Sequence, residues 1–387
     1  QEPPRVQDRP PDHGPSPLVR AREGAVELLL PPTRPGPGPR PKSSVFYNPD
    51  MVLDRDLGVA FVSTHFGRIS GHGWDMLSAT GARGLRLLVE SGAFSSFLFT
   101  EAHPVAAEVL RQNAEKVPGA TVRWADARTL PAEAPFDYVD LDPYGSPLPF
   151  VPIAIRALRP GGILAATATD LMVLAGVQPG ACERLYGSHP VRGRLGPEGG
   201  LRILLAYLAR TARTEGRTVR PLLAYVRGHH LRVYLEVPLL TGVSPPDPVG
   251  LVEPETWTGP FLGELGPYGP MWLGPLFDPK LATRLATPPT AARPRETEEF
   301  LSRIRSEAEV DRPFYFEANE LAGALGLPFP PSREGLSRAL TEKGYRFSRT
   351  HMRPEGFRTD APRAVVEATT VELSRAAVRL GEGSGPE

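Results

Sequence analysis

The segment LDPYGSP (141–147) places a carboxylate, a proline and an aromatic ring in succession at the end of an apolar run. Proline cannot donate to a sheet ladder, so a strand is expected to end at Asp142. The Asp142 carboxylate and the Pro143 carbonyl can accept the two hydrogens of a nucleobase amine, and Tyr144 can stack on the base. The segment therefore predicts methyl transfer to a base amine, with Asp142 stabilising the cationic nitrogen and taking its proton.

A second group of residues has the spacing of a nucleoside-binding site. The loop SATGARG (78–84) joins a predicted strand to a predicted helix, and its two glycines permit a tight turn close to a ligand. Glu101 follows Gly81 by 20 residues, which is the spacing of an acid that binds ribose hydroxyls. Asp126 ends the next predicted strand, where it can accept a hydrogen bond from an adenine amine.

Two cofactors fit such a loop, and the glycine pattern distinguishes them. A dinucleotide needs G-x-G-x-x-G because backbone must approach a pyrophosphate, but Ala79 occupies the first glycine position. S-adenosylmethionine has no pyrophosphate, so the looser loop beginning at Ser78 is sufficient. Its methionine carboxylate can pair with two N–H donors of Arg83 or Arg55. We therefore expect S-adenosylmethionine and disfavour an NAD-dependent oxidoreductase.

These residues must be held by a sheet whose strand ends meet at one edge. Residues 72–240 alternate strand and helix signals, which indicates βα units. Helices are predicted after the first, second and fourth strands, and a long amphipathic helix precedes a closing antiparallel hairpin. The expected fold is an α/β, Rossmann-like class I methyltransferase sheet, mostly parallel, with ligands bound outside the carboxyl ends of its strands. The predicted strands are 72–77, 97–102, 121–126, 136–142 and 161–170, and the hairpin is 221–238.

Composition divides the chain into four parts. Residues 1–42 hold twelve prolines and form an arm with one possible strand at 19–32. Residues 43–240 form the predicted methyltransferase domain, and residues 241–295 are a Pro- and Gly-rich connection. Residues 296–380 return to helix and strand signals and are the candidate second domain.

The overall composition excludes several classes of protein. The 387 residues include 44 basic and 44 acidic side chains, so only a local patch could attract nucleic acid. The single cysteine, Cys182, excludes an internal disulfide and a Cys-rich zinc site. His229 and His230 would face opposite sides of a strand, so no metal is assigned. No apolar run approaches the roughly 20 residues that span a bilayer, and no signal-peptide core is present, so we expect a cytoplasmic enzyme.

Several motifs together carry a family resemblance. SVFYNPDMVLDRD, DLDPYGSP and SRTHMRPEGFRTDAP form a combination that resembles the tRNA guanine-N2 dimethyltransferase family, whose members modify guanine 26 of tRNA. The resemblance implies successive transfer of two methyl groups and a smaller α+β, winged-helix-like C-terminal domain. Further matching segments are REGAVELLLP (22–31), DMLSATGARGLR (75–86), TATD (167–170), GLRILL (200–205) and GPMWLGPLFD (269–278).

The resemblance also implies roles for individual residues. Asp142 corresponds to the catalytic acceptor. The implied walls of the guanine pocket are Phe46 and Tyr144, with Asn48 and Pro143 beside them. The implied cofactor contacts are Arg55, Arg83, Glu101, Asp126 and Ala127, with Ser78 in the cofactor loop.

The sequence departs from the family pattern at three places. The family usually has phenylalanine where Tyr144 stands, and stacking should be retained. The small and cysteine-containing stretch after TATD is replaced by LMVLAG (171–176), and the usual CHE is GPE (196–198). An adenine-N6 methyltransferase and a non-catalytic tRNA-binding protein are the alternatives. Gly145 and the SRTH…TDAP segment argue against the first, and the intact acids argue against the second.

A basic segment near the C-terminus is the predicted RNA contact. Residues 330–363 carry eight basic and four acidic side chains, interleaved with aromatic residues. Such a surface can follow a phosphate backbone in a salt-dependent way. Arg349 and Arg353 are the residues that we expect to contact tRNA.

Overall fold

The structure is a computed structural model that covers most of the chain beyond the N-terminal arm. Most of the predicted arm, including the proline-rich stretch 33–42, lies outside the described residues. The described residues are 18–32, 45–68, 70–130, 135–254, 256–263, 266–310 and 312–382.

A seven-stranded sheet forms the centre of the molecule, with strand order β5-β4-β3-β6-β7-β9-β8. Strands β3 to β7 are parallel, and β9 pairs antiparallel with both β7 and β8. The mostly parallel sheet with an antiparallel closing hairpin is thereby confirmed. The strands are β1 (Val19–Glu23), β2 (Val26–Leu30), β3 (Gly71–Asp75), β4 (Phe94–Glu101), β5 (Ala120–Trp124), β6 (Phe136–Leu141), β7 (Leu158–Ala168), β8 (Arg220–Arg227) and β9 (His230–Val237).

Helices cover the sheet and enclose its apolar side chains. Helices α2 and α3 pack against β3 to β5, whereas α4 and α7 pack against β6 to β9. The helices of this part are α1 (Val52–Phe66), α2 (Ala82–Glu90), α3 (Pro104–Ala114), α4 (Val151–Ala157), α5 (Leu171–Leu174), α6 (Pro179–Tyr186) and α7 (Gly196–Thr214).

Helix α1 was not predicted, and its burial explains why. Residues 52–62 are buried on every side, including the charged Asp54, Arg55 and Asp56. A helix that is covered all round has no polar face, so its sequence lacks the 3.6-residue alternation that identifies surface helices.

The N-terminal hairpin stabilises an arginine of the predicted cofactor site. The predicted strand at 19–32 is two strands, β1 and β2, which pair antiparallel around a turn at Gly24. The hairpin packs on α2 and α3. Glu23 at the end of β1 accepts hydrogen bonds from Arg55 at 2.6 and 2.8 Å and from Arg86 at 3.0 Å.

The Pro- and Gly-rich connection contains a further hairpin. Strands β10 (Val249–Val252) and β11 (Tyr268–Trp272) pair antiparallel, and β11 packs on α7. Arg202 of α7 donates to the carbonyls of Trp272 and Gly274, both at 3.0 Å. The short helix α8 (Pro279–Ala282) follows.

The C-terminal part has its own small sheet and apolar core. Its strands have the order β12-β14-β13, all antiparallel, and Phe316, Leu336 and Phe357 are buried between sheet and helices. The succession strand, two helices, two strands is that of a winged helix, as predicted. We call the loop 350–355 between β13 and β14 the wing. The elements are α9 (Pro294–Ala308), β12 (Phe316–Glu317), α10 (Ala318–Ala324), α11 (Arg333–Glu342), β13 (Phe347–Arg349), β14 (Gly356–Thr359) and α12 (Arg363–Glu382).

A chain of buried ion pairs, which we call the buried seam, joins α7 to the C-terminal part. Glu198 of α7 accepts from Arg358 of β14 at 2.9 and 3.1 Å, and from Nε of Arg202 at 2.9 Å. Arg358 also donates to Glu307 of α9 at 2.5 Å, and all four side chains are fully buried. Two carboxylates and two guanidiniums thus neutralise one another away from the solvent-exposed surface.

The wing reaches from this seam to the edge of the central sheet. His351 Nδ1 lies 2.6 Å from Glu307, so this nitrogen donates to the carboxylate. The other ring nitrogen, Nε2, accepts from the backbone N–H of Val226 at 3.2 Å. Val226 lies on β8, an edge strand of the sheet, one residue before the end of that strand.

Candidate active site

A cavity of about 1010 Å³ opens at the carboxyl ends of the parallel strands. It is lined by the cofactor loop, by the residues after β6, by the segment before α1 and by the β8–β9 turn. The turn lies at this edge because β9 starts opposite the end of β7. Predicted site residues that line the cavity are Phe46, Asn48, Arg55, Ser78, Arg83, Glu101, Asp142, Pro143 and Tyr144.

Asp142 and Arg83 form an ion pair in the cavity wall. The Arg83 Nη2 and Nε atoms lie 2.8 and 3.2 Å from Asp142 Oδ2. Burial alone would raise the pKa of Asp142, but Arg83 and Arg232 hold it down at about 2. Asp142 is therefore a carboxylate at neutral pH, and its side chain is still 28% exposed towards the cavity.

Beneath this pair lies a second acid, Asp75, that the sequence analysis did not single out. Asp75 ends β3, lines the cavity and is almost completely buried. Burial and the neighbouring Asp140 raise the pKa of Asp75 to about 7. Asp140 itself is held by both terminal nitrogens of Arg232, at 2.6 and 3.0 Å. The rule that ligands bind at strand ends would have identified Asp75, which precedes the cofactor loop by three residues.

The cofactor loop is shaped by hydrogen bonds from its own backbone. Glu101 accepts from the Ala79 N–H at 2.9 Å and from the His103 N–H at 2.8 Å. The Ser78 hydroxyl donates to the Asp75 carbonyl at 2.9 Å. Gly81 has φ of 80°, which favours glycine, whereas Gly84 allows α2 to approach the Phe99 ring on β4.

Arg55 faces the same cavity from α1. Its Nε and Nη2 atoms are occupied by Glu23, and Nη2 also donates to the Asn48 carbonyl at 3.2 Å. Within the described residues, the hydrogen bonds of Arg55 use Nε and Nη2 and none uses Nη1, and Nη1 of Arg83 is buried without an acceptor. Two arginines thus present unused N–H groups, which suits the carboxylate of a methionine moiety.

The other side of the cavity carries the residues expected to hold a base. The rings of Phe46 and Tyr144 meet edge to face, with centroids 4.6 Å apart. Tyr144 is 76% exposed, so a base can gain contact area on this ring. Asn48 caps the short helix at 49–51 by accepting from the Asp50 N–H at 2.9 Å, which fixes the segment that carries Phe46.

Asp126 and Ala127 lie outside the lining of the cavity. Asp126 follows β5 as predicted, but its carboxylate is paired with Arg128, at 2.6 Å, and caps a short helix over 127–129. The Arg128 guanidinium lies over the ring of Phe150, which does line the cavity. Ala127 is buried. The predicted adenine contact of Asp126 remains a prediction, and it would require this ion pair to rearrange.

The β8–β9 turn adds a cation to the cavity that the sequence analysis missed. Arg227 lines the cavity and donates to Asp54 at 2.7 Å. His230 is buried and also lies 2.7 Å from Asp54, whereas His229 is exposed in the turn before β9, and both histidines line the cavity. Within the described residues, no group of three His, Cys, Asp or Glu side chains could hold a metal ion.

The predicted tRNA contacts lie on the C-terminal part. Arg349 ends β13 and lines an open groove of about 410 Å³ between α9, α11 and β13, together with Arg333 and Arg338. Arg353 is exposed on the wing and does not line the groove. Both arginines are accessible, as a phosphate contact requires. No helix in the described part of the chain is long and apolar enough to cross a membrane.

A parallel sheet closed by an antiparallel hairpin, with acids at its strand ends around one cavity, defines a class I S-adenosylmethionine-dependent methyltransferase. A family model described as "N2,N2-dimethylguanosine tRNA methyltransferase" matches residues 39–242 and 260–370. The chain belongs to this family.

Curated relatives and a solved structure agree with this assignment. The chain is 35% identical over 365 residues to a tRNA (guanine(26)-N(2))-dimethyltransferase of Pyrobaculum arsenaticum, covering 90% of this chain and 97% of the relative. An enzyme of the same name from Thermococcus kodakarensis is 34% identical, covering 90% and 98%. The complex of Trm1 from Pyrococcus horikoshii with S-adenosyl-L-methionine superposes with a TM-score of 0.78 at 30% identity, covering 91% of this chain and 99% of that chain.

Proposed function

We propose that this chain transfers two methyl groups in succession from S-adenosylmethionine to the N2 amine of guanine 26 in tRNA. The observation that carries the proposal is an ionised Asp142, 28% exposed, in a cavity that Phe46 and Tyr144 line and that belongs to a chain of this family. When bound, S-adenosylmethionine supplies a methyl group that is already activated on a sulfonium sulfur.

The cofactor side of the cavity is built from the loop after β3 and from two arginines. We infer that Arg83 and Arg55 hold the methionine carboxylate with their unused Nη1 groups, and that Glu101 holds the ribose hydroxyls. The buried Asp75, whose pKa is raised to about 7, would be stabilised as a carboxylate by a nearby cation. The two arginines suit a ligand that carries a carboxylate, and the buried acid suits a ligand that carries positive charge.

On the amine side, Asp142 has two functions. Its carboxylate accepts an N–H of the guanine amine and orients the nitrogen lone pair, while the Pro143 carbonyl accepts the other hydrogen. As the nitrogen gains its methyl group it becomes cationic, and Asp142 stabilises that charge and takes the proton. After the first methylation one N–H remains, and the same carboxylate can accept it for the second transfer.

A pKa of about 2 is low for a proton acceptor, but it suits this amine. The lone pair of a guanine amine is delocalised into the ring, so the alkylated nitrogen is far more acidic than an ordinary ammonium group. A weakly basic carboxylate is therefore a sufficient acceptor. Its advantage is that Asp142 remains ionised throughout the neutral pH range.

The target guanine must leave the stacked helix to reach Asp142. Phe46 and Tyr144 provide aromatic surface for the displaced base. Arg349 and Arg353, exposed on the C-terminal part, are proposed to follow the phosphate backbone of the tRNA body. We further propose that residues 43–240 form the catalytic domain and 296–380 the tRNA-contacting domain, joined by 241–295, and that the enzyme is cytoplasmic.

The test is methylation of unmodified tRNA with methyl-labelled cofactor, followed by digestion to nucleosides. We expect the label first in N2-methylguanosine and then in N2,N2-dimethylguanosine, and loss of the label when guanine 26 is replaced by adenine. Label in N6-methyladenosine would support the adenine-N6 alternative. Binding of tRNA without transfer of label would support a non-catalytic binding protein.

A further inference from the structure

Arg227 is a cavity-lining cation that the mechanism above does not use. It ends β8 at the turn before β9, and its side chain is 23% exposed. One terminal nitrogen, Nη1, donates to the Asp54 carboxylate at 2.7 Å and to the Asp50 carbonyl at 3.0 Å. The guanidinium is therefore fixed at one corner only.

The acid that fixes Arg227 is itself held rigidly. Asp54 is fully buried in α1 and also accepts hydrogen bonds from His230 at 2.7 Å and from the Tyr225 hydroxyl at 3.1 Å. The backbone of Val226, adjacent to Arg227, is bonded to His351 of the wing at 3.2 Å. The position of Arg227 is thus set from α1, from β9 and from the C-terminal part.

The remaining edge of the guanidinium has the shape of an anion-binding fork. Nε and Nη2 of Arg227 have no acceptor among the described residues. These two N–H groups are parallel and match two oxygens of a phosphate group. Asp54 accepts from Arg227 with one carboxylate oxygen and from His230 with the other. It therefore binds only Nη1 of the guanidinium.

The position of Arg227 associates it with the base rather than with the cofactor. Through the Asp50 carbonyl it contacts the segment 46–51, which carries Phe46 and Asn48. A nucleotide whose base enters the cavity brings its own phosphates to the rim of that cavity. We propose that Arg227 binds a phosphate that flanks the target guanosine, through its Nε and Nη2 groups. This inference rests on the proposed function.

The first test compares Arg227→Gln with the native enzyme. The glutamine amide can still donate to Asp54 but carries no charge. We expect the KM for tRNA to rise about tenfold to a hundredfold, as loss of a hydrogen bond to a charged group implies. The dependence of log affinity on log salt should become shallower by about 0.7–0.9, which corresponds to one phosphate contact. The Kd for S-adenosylmethionine should not change.

Two further variants separate this role from a structural one. Arg227→Lys keeps the charge and should restore most of the salt dependence while KM remains raised. Arg220→Gln is the matched control. Arg220 lies at the other end of β8, outside the cavity lining, is 51% exposed and pairs with Glu236 and Asp278. This control should leave both quantities unchanged. Unaltered KM and salt slope in Arg227→Gln, or a weakened cofactor Kd, would overturn the proposal.

The second test changes the tRNA, so it does not depend on the folding of any variant. A neutral methylphosphonate replaces the phosphate on the 5′ or the 3′ side of position 26. With native enzyme, one of these substitutions should raise KM as much as Arg227→Gln does, and it should have no further effect in that variant. If the methylphosphonate raised the KM of Arg227→Gln by the same factor as the KM of the native enzyme, the proposed phosphate contact would be refuted. Failure to methylate guanine 26 in unsubstituted tRNA would instead refute the proposed function.

Discussion

Replacing Asp142 with asparagine tests the centre of the proposed mechanism with little change in shape. The amide retains an acceptor oxygen, but it can neither carry the negative charge nor take a proton. A positioned proton acceptor contributes about 10²–10⁴ in rate, which is about 2.7–5.5 kcal/mol of transition-state stabilisation. We therefore expect the single-turnover rate of methyl transfer to fall by that factor at saturating cofactor and tRNA.

The structure sets the other expected effects of Asp142→Asn. Arg83 loses its partner at 2.8 Å, and the next carboxylate, Asp140, is 3.9 Å away and already held by Arg232. Because Asp142 is 28% exposed, the loss of stability should be about 1–3 kcal/mol, less than for a fully buried pair. Arg83 becomes available for the methionine carboxylate, so the affinity for cofactor should be retained or increased.

The assay measures single-turnover transfer from labelled cofactor, with cofactor Kd and chemical denaturation measured on the same samples. Asp137→Asn is the matched control, since Asp137 lies near the start of the same strand and pairs with Arg159. A rate within tenfold of the native enzyme would refute the role of Asp142. So would a rise in cofactor Kd large enough to account for the whole loss.

The pH dependence gives an independent check on the same residue. Arg83 and Arg232 hold the pKa of Asp142 at about 2 against the effect of burial, so the native carboxylate is ionised at every pH above about 4. Protonation of Asp142 should consequently produce no decline in the transfer rate between pH 5 and pH 8. A rate that falls tenfold for each pH unit below 7, and no longer does so in Asp142→Asn, would contradict this account.

Three further predictions concern the cofactor, the fold and the RNA. Because burial raises the pKa of Asp75 to about 7, a cationic ligand that requires its ionised form should bind about fivefold more tightly at pH 7 than at pH 6. Calorimetry in two buffers should detect proton release, and Asp75→Asn should abolish both effects. Arg358→Met leaves two buried glutamates without their shared partner and should cost about 3–5 kcal/mol of unfolding free energy by urea titration, whereas exposed Arg111→Met should cost less than about 0.5. Changing Arg349 and Arg353 together to alanine should weaken tRNA binding and flatten its salt dependence, measured by filter binding; unchanged affinity would remove these contacts.

The fold and half of the site could be predicted because they follow from local patterns. Strands β3 to β7 are short apolar runs bounded by glycine, proline or acids, and their order along the chain fixes which ends meet. Glu101 and Asp142 lie in the cavity for that reason. Asp126 satisfies the same rule, yet Arg128 two residues later pairs with it and keeps it outside the lining. A strand-end rule cannot anticipate such local competition.

What the sequence could not indicate is which distant charges pair. Arg86, Arg202, Arg232 and Arg358 are fully buried, and each meets a carboxylate. Their partners lie between 4 and 160 residues away along the chain. Arg227 was missed for a related reason, since a charged residue at a hairpin turn is usually solvated, and only the antiparallel pairing of β9 brings this turn to the cavity.

The buried seam restricts how the C-terminal part of this enzyme can be exchanged for that of another chain. Glu198 lies on α7 and Arg358 on β14 of the C-terminal part, and both side chains are fully buried. Val226 on β8 likewise depends on the imidazole of His351 for its hydrogen bond. A recombinant that kept the methyltransferase sheet and exchanged the C-terminal part would need an arginine and a histidine at matching positions, because without the arginine the buried Glu198 keeps only Arg202 as its charged partner. Substitutions at Arg358 or His351 are therefore expected to require compensating changes on α7 or β8.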